Sequence, residues 1–155
     1  MFDETDKKLL NLLQYDSKQT TKALSNQLGL STTAAYERIK RLERNGIIRK
    51  YVALLDKEKI GRNFTAFCQV KLTQHLKPYV LQLEKHVMQI QEVTECHHIS
   101  GDHDYLLKIH VNDMKEFREF IVGKLTALDN IGSTQSSFVI NEVKYTTAID
   151  LNTKN

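Results

Sequence analysis

The sequence predicts an α+β protein in two parts, a helical unit over residues 1–60 and a mixed unit of order βαββαβ over 61–155. Three observations predict it. Apolar residues recur at helical spacing up to about residue 45, interrupted by a glycine stop. Beyond residue 60, runs that alternate at period two interleave with two helical runs. Charge divides at the same place: residues 1–60 hold 12 Lys/Arg against 8 Asp/Glu, a net of +4, and residues 61–155 hold 10 against 11, a net of −1.

In the first part, Asp3 can cap a helix, with Asp6 in the position of a capping-box acid. Leu9, Leu10, Leu12 and Leu13 give that helix an apolar stripe. A second helix starts at Thr20 or Thr21, carries Ala23, Leu24 and Leu28, and stops at Gly29, where glycine tolerates a positive φ. Ser31 is a good N-cap for a third helix, from Thr32 to about Asn45, with Ala35, Ile39 and Leu42 on one face. Asn45-Gly46 ends it. Residues 47–55 read as strand or extended connector, and 57–61 as a turn.

The second part opens with a strand over 64–73, in which Ala66, Cys68, Val70 and Leu72 alternate. Pro78 suits the first turn of a helix that carries Val80, Leu81, Leu83, Val87, Met88 and Ile90. A strand follows over 93–100, then a turn at Gly101-Asp102-His103-Asp104. Tyr105, Leu107, Ile109 and Val111 alternate in a third strand. Asp113 caps a helix bearing Phe117, Phe120, Ile121 and Leu125, and residues 131–145 supply the last strand. This is the ferredoxin-like, split-βαβ order. Its helices cover one face of the sheet, so the other face predicts a second subunit as cover.

Composition narrows the function. Hydrophobic residues make up 41% and charged residues 26%, ordinary for a soluble globular chain. Two cysteines form no disulfide framework and suit a reducing cytosol. No apolar run approaches a membrane span, and the acidic start MFDETDKK has no leader pattern. A cytoplasmic location is therefore expected. The local charge is more telling. Residues 18–50 hold eight basic residues, Lys18, Lys22, Arg38, Lys40, Arg41, Arg44, Arg49 and Lys50, against Glu37 and Glu43. A basic cluster on a near-neutral chain suits a polyanion.

Residues 20–45 have the layout of a winged-type helix-turn-helix, whose second helix enters the major groove of double-stranded DNA. On the helix from 32 to 45, the exposed set opposite the apolar stripe is Thr32, Thr33, Tyr36, Glu37 and Lys40. Short polar and aromatic side chains suit base edges and thymine methyls. Arg38, Arg41 and Arg44, at three-residue spacing, are expected to form a basic ridge for the flanking phosphates.

At this point the sequence resembles the Lrp/AsnC family of feast/famine regulators. The likeness lies in GLS at 29–31, ERIKRLERNGII at 37–48, YVALLD at 51–56, ECHHISGDHDYLLK at 95–108 and VINEVK at 139–144, in that order. The resemblance implies a helix-turn-helix joined by a strand-like linker to a βαββαβ domain. It also implies homodimers that join into tetramers, octamers or larger rings. It further implies an amino-acid effector bound between dimers near Gly101, Asp102, His103, Asp104 and Tyr105. There Asp104 or Asp102 would meet the effector ammonium, backbone N–H groups near Gly101 its carboxylate, and Thr134 and Ser136 of a neighbouring chain would complete the pocket.

Other chemistries fare worse. Cys96, His97 and His98 adjoin, but on a strand His97 points away from the other two, and the spacing fits no zinc pattern. No metal or other cofactor is expected. Cys96 lacks an oxyanion hole or a helix N-terminus to activate it, and the six glycines stand singly without forming a phosphate loop. No catalytic residue is assigned. A ferredoxin-like enzyme, or an assembly and sensing module without DNA binding, remains the alternative; either leaves the basic helix without a task.

Overall fold

The computed structural model describes residues 3–151. Five helices and four strands follow in the order α1 (Glu4–Tyr15), α2 (Thr21–Leu28), α3 (Thr32–Arg44), β1 (Phe64–Leu72), α4 (Lys77–Val87), β2 (Val93–His98), β3 (Tyr105–Val111), α5 (Met114–Phe120) and β4 (Ile131–Phe138), with a π turn at Ile121–Leu125 after α5. The chain divides into two compact units. One holds the chain up to Leu54 together with the segment from Val143 onward, and the other is Leu55–Glu142. The C-terminal segment thus belongs to the helical unit, a return that local pattern does not reveal.

In the helical unit the caps expected at Asp3 and Ser31 form, and Thr20, read as a possible start of the second helix, caps α2. Asp3 and Asp6 make the capping box of α1, and the Thr20 and Ser31 hydroxyls accept from the amides of Ala23 and Ala34. Gly29 and Gly46 end α2 and α3 at φ 65° and 68°, a region that strains any residue with a Cβ. Leu9, Leu10, Leu13, Leu24 and Leu42 form the core, joined at its edge by Leu12, Leu28, Ile39, Ile48 and Leu151. The returning tail is held by Gln14, whose carboxamide donates to the Ile149 carbonyl at 2.9 Å and accepts from its amide at 2.8 Å. Residues 47–55, the expected strand or connector, join no ladder; Ile47 and Ile48 bend back so that both amides donate to the Leu42 carbonyl, at 3.0 and 3.2 Å. Tyr51, Val52, Leu54 and Leu55 are exposed there. A hollow of about 700 Å³ opens between this linker, the end of α1 and the tail.

The helical unit turns on one buried carboxylate. Asp6 is fully buried. Its two oxygens accept from Arg38 at 2.8 Å and Arg41 at 2.6 Å. Arg38 also reaches both oxygens of Asp3, at 2.9 and 2.7 Å. The Arg38 guanidinium holds the Asp3 carboxyl below its ordinary value. These contacts fasten α1 to α3.

The second unit is a four-stranded antiparallel sheet in the order β2-β3-β1-β4. Ala66, Cys68, Val70 and Leu72 of β1 and Tyr105, Leu107, Ile109 and Val111 of β3 are all buried on one face, with Leu83, Val87, Phe117, Phe120 and Leu125 from the helical segments. Burying each large apolar side chain contributes roughly 1.5–3 kcal/mol. Leu81 and Met88 of the expected α4 stripe are instead 52% and 80% exposed, because they fall off the arc that faces the sheet. β4 ends at Phe138, well short of the expected Tyr145. It pairs with β1 from Ala66 to Leu72, and the amide of Val139 donates to Thr65 at 3.0 Å. β1 itself starts at Phe64, which this register sets opposite Ile140, so residues beyond 140 have no strand to pair with.

The opposite face carries Phe67, Gln69, Leu106, Lys108 and His110, each only half-buried. The Nδ1 of His110 lies 3.0 Å from the Thr65 hydroxyl. Burial, with Lys57 and Lys108 nearby, pushes the His110 pKa below 6.5, while Glu142 and Glu95 oppose the shift.

Two outcomes follow from these contacts. Asp6→Ala leaves Arg41 without its partner and Arg38 with Asp3 alone, and Arg38→Ala leaves the buried carboxylate half-paired; each should cost the helical unit about 3 kcal/mol, read as a lowered urea midpoint. For His110 the folded pKa lies below the unfolded one, so its contribution is complete above pH 6.5 and is lost as pH falls through the folded pKa. Urea midpoints measured from pH 8 to pH 5 should therefore fall more for the wild type than for His110→Gln.

Candidate nucleic-acid interface and effector turn

α3 places the candidate DNA-contacting residues. Ala35 and Leu42 are buried, and Ile39 packs at the core edge. At 3.6 residues per turn, the line opposite that stripe runs through Thr33, Glu37, Lys40 and Arg44. Thr32, Thr33, Tyr36, Glu37, Arg41 and Arg44 are exposed, and Lys40 is half-buried. Lys40 bonds Glu43 at 2.8 Å and lies 5.7 Å from the centre of the Tyr36 ring. Glu43 also accepts from the Tyr51 hydroxyl at 3.1 Å, which ties the linker to α3. Lys40 and then Tyr51 hold the Glu43 carboxyl below its ordinary value, against burial. Burial, with Glu43, pushes Tyr51 up to about 12.

The expected arginine ridge is corrected here. A three-residue step falls short of a full helical turn, so Arg38, Arg41 and Arg44 drift around the helix by about 60° per step. Arg38 and Arg41 come round to face α1 and bond Asp3 and Asp6. Arg44 alone of the three has no ion pair among the described residues, and it shares that condition with Lys18, Lys22, Arg49 and Lys50. These five exposed cations come from the start of α2, the turn before it, and the stretch from the end of α3 into the linker.

The second candidate is the turn before β3. Gly101 sits at φ 131°, a conformation side chains rarely adopt. Asp102 is exposed, and His103 is half-buried. Asp104 is engaged within the fold. Its amide donates to the Val70 carbonyl at 2.9 Å, and its carboxylate accepts from the Leu72 amide at 2.7 Å and meets His75 Nε2 at 2.8 Å. Burial works to raise the Asp104 pKa, but the Leu72 amide, His75 and His98 outweigh it and hold the carboxyl below its ordinary value. Tyr105 points into the core, with its hydroxyl donating to Glu84 at 2.9 Å and its ring stacked on His98 at 4.7 Å. Burial and Glu84 push this phenol well above its usual range.

Thr134 and Ser136 are half-buried and pair with Val70 and Cys68. Burial raises the Cys68 thiol against a hydrogen bond with Ser136. β1 therefore separates these hydroxyls from the 101–105 turn by two strand spacings, about 10 Å. Among the described residues, no cluster of His, Cys, Asp and Glu could hold a metal, and no helix is long and apolar enough to cross a membrane. Sequence reasoning missed His75, Glu84 and Glu43 as organisers. It read Asp6 as a cap without its arginine partners. His75, Glu84 and Asp6 act across tertiary contacts that no local pattern encodes, whereas Glu43 pairs with Lys40 within α3 and with Tyr51 just beyond it.

Comparison with known proteins agrees with this geometry. Residues 2–49 match the winged helix-turn-helix DNA-binding family, and residues 65–149 match the Lrp/AsnC ligand binding domain. The chain is 37% identical over 151 residues to the DNA-binding transcriptional activator DecR of Escherichia coli K12, covering 97% of this chain and 99% of that protein. It is 35% identical to the leucine-responsive regulatory protein of the same organism, over 98% of this chain and 93% of that protein. Among solved structures, a transcriptional regulator from Neisseria meningitidis in complex with L-Met superposes with a TM-score of 0.94 at 35% identity, covering 98% of both chains. An AsnC family regulator from Agrobacterium tumefaciens gives 0.91 at 34% identity, covering 96% of both. These relatives are transcriptional regulators, and an enzyme is not what the likeness describes. With its helix-turn-helix and its ligand-binding sheet domain, the chain belongs to the Lrp/AsnC family of DNA-binding transcriptional regulators.

Proposed function

We propose that the protein binds DNA as a homodimer or a multiple of one, with α3 in the major groove, and that an amino acid bound at the 101–105 turn controls its assembly. The observation that carries the DNA half is the outward line of α3, flanked by five cations without ion pairs among the described residues. Thr32, Thr33 and Tyr36 face base edges. Arg44, Arg49, Lys50, Lys18 and Lys22 take phosphates. Arg38 and Arg41 act by fixing the helix, so replacing them tests folding before it tests contact.

The half-buried outer sheet face and the exposed linker support assembly, since each offers apolar or polar surface without cover in a single chain. A two-fold dimer presents two α3 helices, so the operator is roughly palindromic, with half-sites a whole number of helical turns apart. The L-Met in the Neisseria regulator supports an amino-acid effector. In this chain Asp102 is the exposed carboxylate of the turn and receives the ammonium. Backbone N–H groups around Gly101 receive the carboxylate, and Thr134 and Ser136 of a neighbouring chain complete the site. Such an effector acts through its difference in affinity between assembly states.

Two measurements check this. Arg44→Ala and Lys50→Ala should each lower the slope of log affinity against log salt by about one for a mixed-sequence duplex, with the unfolding midpoint unchanged. An unchanged slope in both would remove these residues from the interface. Light scattering with L-Met, L-Leu and the other common amino acids should show one that changes the mass of the assembly, and Asp102→Asn should abolish that change while leaving DNA affinity intact. A response that survives Asp102→Asn would place the effector elsewhere.

A further inference from the structure

We propose that Glu37 is a specificity-determining residue whose carboxylate accepts a hydrogen bond from the exocyclic amino group of a cytosine in the major groove. The proposal rests on α3 being the reading helix and names the base it reads. Glu37 is exposed and lies on the outward line of α3, about 160° from the buried Ala35. A glutamate there would ordinarily be neutralised by its own helix, because Arg41 is four residues on and Lys40 three, and a Glu-to-Arg pair at that spacing is the favoured orientation. Both cations are turned elsewhere: Arg41 bonds the buried Asp6 at 2.6 Å, and Lys40 bonds Glu43 at 2.8 Å. Arg44, on the same line, is seven residues away, roughly 10 Å along the axis. Glu37 has no ion pair among the described residues.

An unneutralised carboxylate on the DNA-facing line is repelled by the phosphates and lowers affinity for DNA in general. It contributes favourably only where the groove offers it a donor. Guanine presents O6 and N7, and thymine presents O4, all acceptors that repel a carboxylate. Adenine presents an N6 amino group beside the acceptor N7, which suits an amide better than a carboxylate. Cytosine presents N4 as a donor with no acceptor of its own beside it. Glu37 therefore rejects most base pairs and accepts one, with Thr33, one turn earlier on the same line, beside it.

The test is selection by the full-length protein from a duplex library with randomised half-sites, carried out in parallel with Glu37→Ala, Glu37→Gln and Thr33→Ala. Wild type should select a half-site with one fixed cytosine. Glu37→Ala should relax that position alone, reducing discrimination there by about 5- to 150-fold, while tightening binding to unselected duplex. Glu37→Gln should move the preference at that position towards adenine, since an amide pairs with N6 and N7 together. A wild-type motif retained by Glu37→Ala overturns the proposal, even if all affinities rise equally, because the carboxylate would then act only as a charge. If Thr33→Ala changes the motif and Glu37→Ala does not, the role of Glu37 alone fails. If neither changes it, the role of Glu37 fails as well, and a motif that also survives Thr32→Ala and Tyr36→Ala takes the reading away from α3.

Discussion

A carboxylate shut away from water with two guanidinium groups sets the geometry of the DNA-binding unit. Asp6 is fully buried, and a buried charge is tolerated only when paired and hydrogen-bonded. Its amide also completes the capping box with Asp3, so the residues that begin α1 also locate α3. Apolar packing among Leu9, Leu13, Leu24 and Leu42 supplies the driving force, but it is non-directional. The Arg38 and Arg41 contacts add direction. They fix the rotation of α3 about its own axis, and in the proposed docking that rotation would decide which side chains meet a base.

The same contacts shape the electrostatics of the DNA face. Of the four basic residues in α3, two are drawn to Asp6 and one to Glu43. What faces outward along the helix is mostly neutral or acidic until Arg44. The cations that remain for phosphate lie at the margins, in Lys18, Lys22, Arg44, Arg49 and Lys50. Such a division separates positioning from reading. In the proposed docking, marginal cations would hold the backbone of the duplex, and the centre of the helix would be left to side chains that discriminate. The bond from Tyr51 to Glu43 attaches the linker to this reading helix, so a displacement of the linker bears on the Glu43–Lys40 pair.

In the sheet unit, Asp104 plays a comparable part. It closes the end of β1 through the amide of Leu72 and holds His75 in the loop before α4. Its neighbour Tyr105 reaches Glu84 inside α4. The 101–105 turn is thereby joined to a strand end, a loop and a helix, while Asp102 stays exposed at its tip. An effector bound at that tip, as proposed above, would meet a turn whose base is tied to three elements of the sheet unit.

The sequence by itself determined the elements and their class. Caps at Asp3, Thr20, Ser31 and Asp113, the left-handed stop at Gly29, and the alternation of β1 and β3 are local facts, and local energetics suffice to produce them. It also singled out the helix proposed to read DNA and the turn proposed to take the effector, because both are carried by short contiguous motifs. Tertiary structure decided the rest. Three-residue spacing suggested a ridge of arginines, but a helix of 3.6 residues per turn rotates such a series, and a buried carboxylate on another helix captured two of its members. The strand expected to reach Tyr145 ended at Phe138, and β1, which starts at Phe64, supplies no partner for residues beyond 140. The tail beyond Val143 joined the helical unit through Gln14 and Leu151. Asp104, which reads in sequence as an open turn acid, is satisfied within the fold by groups 29 and 32 residues away. In each case the deciding partner is distant along the chain, and its effect follows from desolvation, ladder pairing or charge satisfaction, which exist only once the chain has folded.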